Sequence, residues 1–368
     1  MGREEREVLK IAERFATEGV PESAAPHGSG HINDTYLVNC KTGDGYNKYI
    51  LQRINHAIFK KPWELMENVV NVTEFLRKKI REAGGDPERE TLHVVSAKDG
   101  TSYQKAEDGT YWRMYRFIAG ATSYDVVKEP GDFYESALAF GHFQKLLEDY
   151  PAKALFETIP NFHNTVDRFA NFKKALEEDV MHRAAEVREE IQFVLEREKD
   201  CHVLCDMLSA GEIPLRVTHN DTKLNNIMID NETGKGICII DLDTVMPGSA
   251  LYDYGDSIRF GANTGEEDEK DLSRISCDLE LFDLYTKGYI EGCGGSLTEK
   301  EIRMMPMGAK LMTLECGMRF LTDYLEGDHY YKIHRPEHNL DRARTQFCMV
   351  KDMEDKWEKM QRIAESYL

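Results

Sequence analysis

Apolar residues recur at helical spacing over residues 3–18, through Val8, Ile11, Ala12 and Phe15. They do so again over 63–82, through Leu65, Val69, Val72, Phe75, Leu76 and Ile80. Elsewhere in this first part the segments 35–38, 48–51, 92–95 and 111–117 are short runs rich in β-branched and aromatic residues, the signature of strands. Thr42-Gly43-Asp44-Gly45 supplies hairpin chemistry between the first two runs, and the turn-rich Pro26-His27-Gly28-Ser29-Gly30 precedes them. The pattern predicts a β-rich part holding one long helix. From about residue 130 it turns helical, over 131–149, 164–178, 180–209, 268–291, 298–326 and 339–366. Short hairpins interrupt it between 216 and 245, and the acidic run Glu266-Glu267-Asp268-Glu269 reads as a solvated helix start. Ile118-Ala119-Gly120 is the plausible connector, so the chain is expected to be an α+β protein with lobes 1–118 and 119–368.

The hairpin region carries the chemistry. It contains His219-Asn220-Asp221, then Asn226 five positions after Asp221, then Asp241 at the end of the apolar run Ile237-Cys238-Ile239-Ile240. Phosphoryl transfer asks little covalent work of a protein. It needs a carboxylate to orient and deprotonate the attacking hydroxyl, an amide oxygen and a second carboxylate for Mg²⁺, and cations to neutralise phosphate charge. Asp221 fits the first role and Asn226 with Asp241 the second. Lys223 is either a solvated loop lysine or a neutraliser of the transferring phosphoryl group. Asp243 either assists the metal shell or caps the following turn. Gly28-Ser29-Gly30 is either a tight turn or, ahead of a hairpin in such a chain, a loop whose bare backbone covers phosphates. Arg116, Phe117 and Ile118, beside the connector, are where an adenine is expected to sit, because ligands favour clefts between lobes.

At these residues the chain resembles the aminoglycoside-phosphotransferase-like branch of the protein-kinase fold, and within it the bacterial N-acetylhexosamine 1-kinases. The stretches that carry the likeness are 28–36, 49–53, 214–226, 240–249, 253–262 and 315–328. The resemblance implies a two-lobed kinase-like fold, ATP and Mg²⁺ as cofactors, and the anomeric hydroxyl of GlcNAc or GalNAc as acceptor. It implies sugar contacts from His31, Arg319 and Tyr330, and supporting roles for His219 and for Asp253, which would brace the catalytic-loop backbone. For Arg319 a structural ion pair is the competing account, since an arginine beside the apolar stripe Leu311, Leu314, Met318 and Leu321 needs a partner. In protein kinases a strand lysine contacts the α- and β-phosphates, but here Gln52 stands in that column. Gln52 could hydrogen-bond a phosphate without charge. Arg53 falls on the opposite strand face, and Glu67 on the next helix is a weak candidate for a partner.

Composition narrows the rest. A net charge of −19 argues against nucleic acid as partner and against an anionic membrane surface. The eight cysteines form no Cys-x-x-Cys, and Cys201-His202 with Cys205 reads as helix packing rather than a metal site. The charged amino terminus and the lack of a long apolar run lead to the expectation of a soluble cytoplasmic protein, and the resemblance implies an enzyme of carbohydrate metabolism. Two rivals stand beside the sugar kinase. One is a kinase for another small alcohol, such as homoserine, choline or an aminoglycoside. The other is a nucleotide-binding regulator without turnover, supported by the missing lysine and opposed by the complete Asp221, Asn226 and Asp241 set.

Overall fold

Hairpin chemistry at the amino-terminal end folds into one antiparallel sheet in a computed structural model that describes residues 2–28, 32–124 and 130–368. Helix α1 (Arg3–Ala12) leads into strands β1 (Val20–Pro26), β2 (Asp34–Lys41) and β3 (Tyr46–Ile54). Helix α2 (Pro62–Glu82) follows, then β4 (Gln104–Lys105), β5 (Tyr111–Arg116) and β6 (Ala121–Thr122). Five of these strands form a sheet in the order β1-β2-β3-β5-β4. Alternation decides what each face holds. Val38, Cys40, Tyr49, Leu51, Trp112 and Met114 pack with Val8, Leu9, Ile11, Ala12 and Phe15 into one buried cluster. Residues one position along, including Gln52 and Arg113, therefore point to the other face.

The rest of the chain is mostly helical: α3 (Pro130–Leu146), α4 (Thr165–Glu178), α5 (Arg188–Leu195) and α6 (Glu198–Ser209). Short strands β7 (Arg216–Thr218), β8 (Ile227–Asp230), β9 (Gly236–Ile239) and β10 (Met246–Gly248) come next. Helices α7 (Ala250–Gly261), α8 (Leu279–Cys293), α9 (Glu299–Glu326), α10 (His338–Asp355) and α11 (Trp357–Glu365) complete it. Helix α9 starts on a reciprocal cap, in which Thr298 and Glu301 satisfy each other's backbone N–H groups. Helices α7 and α9 touch backbone to backbone. A Cβ on Gly255 would collide with the carbonyl of Gly308, so only glycine permits this approach. It brings the helix carrying Asp253 and Asp256 against the one carrying Glu315 and Arg319.

The chain packs as two compact units. One comprises residues 1–122, 154–159 and 228–246, and the other 123–153, 160–227 and 247–368. The β8–β9 hairpin, which the sequence placed in the second lobe, thus belongs with the sheet-bearing unit, and β6 pairs with β8 there. No helix among the described residues is long and apolar enough to cross a membrane.

Several expected elements are shorter or broken, each for a physical reason. Helix α1 stops at Ala12, because Phe15 turns into a strand-like bridge with Ala97. The strand expected at 92–95 reduces to a bridge between Val94 and Tyr115, flanked by two ladder hydrogen bonds. Residues 20–26 form β1, which the sequence reading did not predict. The helix expected over 180–209 breaks before α6, where Arg197 donates to the carbonyl of Phe193 and pairs with Glu354. The acidic run at 266–269 is no helix start. Glu267 pairs with Arg259, Asp268 with Arg335 and His338, and Glu269 with Arg274. The helix begins instead at Leu279, capped by Asp278. Lys356 ends α10 by reaching Ser276, Cys277 and Asp352, which splits the expected 339–366 helix in two.

Candidate active site

The loop from His219 to Asn226 lies in the helical unit and is held from below by α7. Asp253, almost wholly buried, accepts from the backbone N–H groups of His219 at 2.9 Å and Asn220 at 2.7 Å. Gln144 of α3 adds a third donor at 2.9 Å. Burial pushes the Asp253 carboxyl above its ordinary value, and these donors with His219 oppose that rise. One turn on, Asp256 accepts from Thr222 N–H at 3.1 Å. Burial works against its ionisation, but Arg259, Lys223 and His163 outweigh burial and hold the carboxyl below the usual range. His219 itself is fully buried, edge-on to Phe140 and Phe143, so it packs the loop in place.

Backbone strain marks the same loop. Asn220 has φ of 65°, a left-handed conformation that asparagine tolerates better than most residues. Its carbonyl accepts from Nε2 of His163 at 3.3 Å, while Nδ1 of that ring meets Glu315 at 3.0 Å. Two acceptors on two ring nitrogens require both to carry hydrogen. Burial disfavours the imidazolium, but Glu315 outweighs it and raises the His163 pKa above the ordinary 6.5.

Asp221 follows Asn220 and is partly exposed. Its Oδ1 lies 2.8 Å from the Lys223 ammonium, and its other oxygen accepts from Asn226 Nδ2 at 3.2 Å. The Asp221 charge raises the Lys223 pKa against the pull of burial, so this lysine keeps its proton. Asn226 Nδ2 also donates to the Asp221 carbonyl at 2.8 Å, which turns Oδ1 of the amide away as the atom able to ligate a cation. No group of three His, Cys, Asp or Glu side chains suited to a metal occurs among the described residues. Hard oxygen donors in small number nevertheless suit Mg²⁺, which takes one or two protein carboxylates and completes its shell with water and phosphate.

Asp241 belongs to the sheet-bearing unit, at the end of the β8–β9 hairpin, with a left-handed φ of 57°. Such outliers in non-glycine residues gather at functional sites. Asp243, read from sequence as a metal-shell residue or a turn cap, does something else. Its carboxylate forms an ion pair with Arg113 of β5 and accepts from Asn33 Nδ2 at 2.7 Å. Asn33 accepts in turn from the N–H of Asn55 at 2.9 Å.

Gln52 has no lysine-like freedom. It donates to Thr35 Oγ1 at 3.0 Å and accepts from Arg113 Nε at 3.0 Å. Arg53 pairs with Asp34 and lies over Trp112, on the face opposite Gln52. Glu67 is exposed and forms no pair with Gln52. Its neighbour Asn68 anchors α2, bonding both backbone groups of Phe156 and the carbonyl of Val245. Gly28 has φ of +79°, which favours glycine. Ser29, Gly30 and His31 lie outside the described residues. The amides of Arg116 and Phe117 are spent on His93 and Lys48 carbonyls, and the Arg116 side chain reaches Glu18. Those two residues therefore have no amide to offer a base, and Ile118 beyond them is buried.

Arg319 and Tyr330 come together in the helical unit, the Tyr330 hydroxyl accepting from Arg319 at 3.3 Å. The guanidinium lies over the rings of Phe162, Tyr330 and Tyr331, between 5.4 and 5.6 Å from each centroid, and 3.8 Å from Glu315. Asp323 makes this possible by accepting the N–H groups of His329, Tyr330 and Tyr331, which folds the 328–331 turn back over α9. A continuous polar chain thus runs Tyr330–Arg319–Glu315–His163–Asn220, one residue from Asp221. Sequence reasoning missed Arg113, Asn33, His163 and Glu315 as site residues. Arg113 sat between two core-facing residues of a strand, and His163 lies in a segment with no pattern at all.

Comparisons with known proteins agree with this fold. Chains of the same fold include a microcompartment-associated aminopropanol kinase, at TM-score 0.58 and 16% identity, covering 97% of this chain and 98% of that one. Another is the choline kinase of Cryptosporidium parvum, at TM-score 0.58 and 13% identity, with 92% and 90% covered. A third is a spectinomycin phosphotransferase in complex with ADP and spectinomycin, at TM-score 0.51 and 12% identity, with 98% and 97% covered. The profile of the phosphotransferase enzyme family (APH) matches residues 23–285, and with a kinase-like sheet and helical unit carrying the Asp221–Asn226 loop, the chain belongs to that family.

Proposed function

We propose that this phosphotransferase is an ATP- and Mg²⁺-dependent kinase that phosphorylates the anomeric hydroxyl of an N-acetylhexosamine. Asp221 orients the hydroxyl and takes its proton as the new O–P bond forms and the β,γ-bridging bond of ATP breaks, yielding sugar 1-phosphate and ADP. Lys223 neutralises the oxygens of the transferring group. Asn226 Oδ1 and the Asp241 carboxylate would hold Mg²⁺, which supplies charge neutralisation on the phosphates when bound. His219 and Asp253 keep the loop backbone in place. Gly28, Ser29 and Gly30 cover the phosphates, Gln52 faces them, and adenine sits beside Ile118. His31, Arg319 and Tyr330 bind the sugar.

The observation that carries the acceptor assignment is the Arg319 guanidinium inside its ring cluster. A cationic acceptor such as a quaternary ammonium needs those ring faces for itself and is repelled by a resident cation. A neutral, polyhydroxylated acceptor instead gains fork-shaped donors and ring faces together. A second reading, a kinase for a cationic amino alcohol, is favoured by the net charge of −19. The acceptors named for the structural neighbours, aminopropanol and choline among them, point the same way. A coupled assay of ADP release separates the two, run over free N-acetylhexosamines, choline, aminopropanol and aminoglycosides. Turnover on the cationic alcohols with none on the sugars overturns the sugar reading.

A further inference from the structure

The column in which this fold ordinarily holds a phosphate-facing lysine is occupied by Gln52, yet a cation does stand beside it. In the β3–β5 ladder Gln52 is directly opposite Arg113, so the two side chains leave the sheet on the same face. Arg113 is 1% exposed, and its guanidinium is shared: Nε donates to Gln52 at 3.0 Å, while Nη1 meets Asp243 as an ion pair. Asp243 is itself buried at 4% exposure, two residues after Asp241 in one tight turn. The second oxygen of Asp243 holds Asn33, and Asn33 is clamped to the backbone of Asn55. Asn33 is the residue that immediately precedes β2.

We propose that Arg113 is the positioning cation of this nucleotide site, supplying from β5 the charge that a β3 lysine would otherwise supply. It acts through Asp243, fixing the Asp241–Asp243 turn on one side and Asn33, at the start of β2, on the other. Only arginine can do this from here, because its planar fork serves Gln52 and Asp243 at once, whereas an ammonium is a point charge. The inference rests on the reading that this turn and the start of β2 face the nucleotide.

The test is calorimetric titration of the full chain with MgADP, which needs no acceptor, at a series of Mg²⁺ concentrations and with melting curves alongside. Gln52→Lys is expected to give no tightening of MgADP binding, because the charge is already supplied and the Gln52–Arg113 hydrogen bond is lost. Affinity tighter by about tenfold or more would show an unfilled cation position and overturn the proposal. Arg113→Met with Asp243→Asn removes both charges together, which avoids stranding one in the interior. That double variant is expected to fold, to bind MgADP at least about tenfold more weakly and to need more Mg²⁺ for half-maximal binding. A folded double variant with wild-type affinity would mean that Arg113 merely cancels the buried charge of Asp243. Should the double variant fail to fold, Arg113→Lys decides. It keeps the charge but loses the fork, and weaker MgADP binding is expected, whereas unchanged binding overturns the proposal. A wild-type chain that binds no MgADP removes the nucleotide reading, and this inference with it.

Discussion

The two units hold their candidate carboxylates, Asp221 and Asp241, in different ways. In the helical unit the Asp221 loop is fixed mainly through its backbone: Asp253 and Asp256 accept N–H groups of His219, Asn220 and Thr222. In the sheet-bearing unit the Asp241 turn is fixed through side chains, by the Arg113–Asp243 pair and by Asn33. Backbone anchoring is indifferent to which residues occupy the loop, so Asp221, Lys223 and Asn226 can be set by chemistry alone. Side-chain anchoring ties strands far apart in sequence, and each partner becomes costly to lose. Removing one member of a buried ion pair typically costs about 3–5 kcal/mol, because the other is left charged in the interior.

Mutants can break this contrast. The largest effect belongs to Asp221→Asn, which should reduce turnover by about 10²-fold or more, as for loss of a positioned acid or base. MgADP binding should stay close to wild type, since the carboxylate serves the acceptor. Turnover within a few-fold of wild type would remove Asp221 from the chemistry.

Arg319→Ala comes next. Loss of a charged hydrogen bond of about 1.5–3 kcal/mol should raise the acceptor KM by about ten- to a hundredfold. The KM for ATP should hardly move. Wild-type acceptor kinetics in a folded variant would sink the acceptor assignment. A collapse in melting temperature would instead make Arg319 a structural partner of Glu315.

Asp253→Ala sharpens the comparison directly. It strands two buried N–H donors, at about 1–3 kcal/mol each, so the melting temperature should fall with turnover. MgADP affinity should fall much less. If nucleotide affinity collapsed as far as turnover, the two anchoring systems would not be separable.

The smallest effect is a pH dependence. His163 titrates above its ordinary 6.5, so its stabilisation is complete below that value and is lost as pH rises through the folded pKa. Glu315 titrates below its ordinary 4.5, so its stabilisation is complete above that value and is lost as pH falls through the folded pKa. The pair therefore contributes in full between 4.5 and 6.5. Asp256, Arg319 and Arg168 share the local field and alter the width of the decline. Melting of His163→Gln against wild type, from about pH 5 to about pH 9, should show a gap that narrows toward the alkaline end. A constant gap would mean that His163 packs without titrating.

Much of the site could be read along the chain because its members are close in sequence. Asp221, Lys223 and Asn226 fall within six residues, and the helix-borne braces Asp253 and Asp256 come a few turns later. The long helices α2 and α9 were equally plain, their apolar stripes continuous over several turns. Strand β1 was not, since Val20–Pro26 carries two prolines and little apolar character, and is a strand only because β2 pairs with it. The acidic run at 266–269 misled for a related reason. Charges look solvated until the chain brings Arg259, Arg335 and Arg274 to them.

What the sequence determined alone is the inventory: an α+β chain, a sheet-forming first part, a helical remainder, and a short motif with the carboxylates and amide of phosphoryl transfer. Local spacing suffices for these, because helix period, strand alternation and loop motifs are set by neighbours along the chain. What only the tertiary structure decided is which charges meet. The pairing of Arg113 with Asp243, of Asn33 with Asp243, and of His163 with Glu315 joins residues more than a hundred positions apart. No periodicity encodes such pairs. They exist because an ionised group taken out of water must find its opposite, and only the packed chain brings the two within reach.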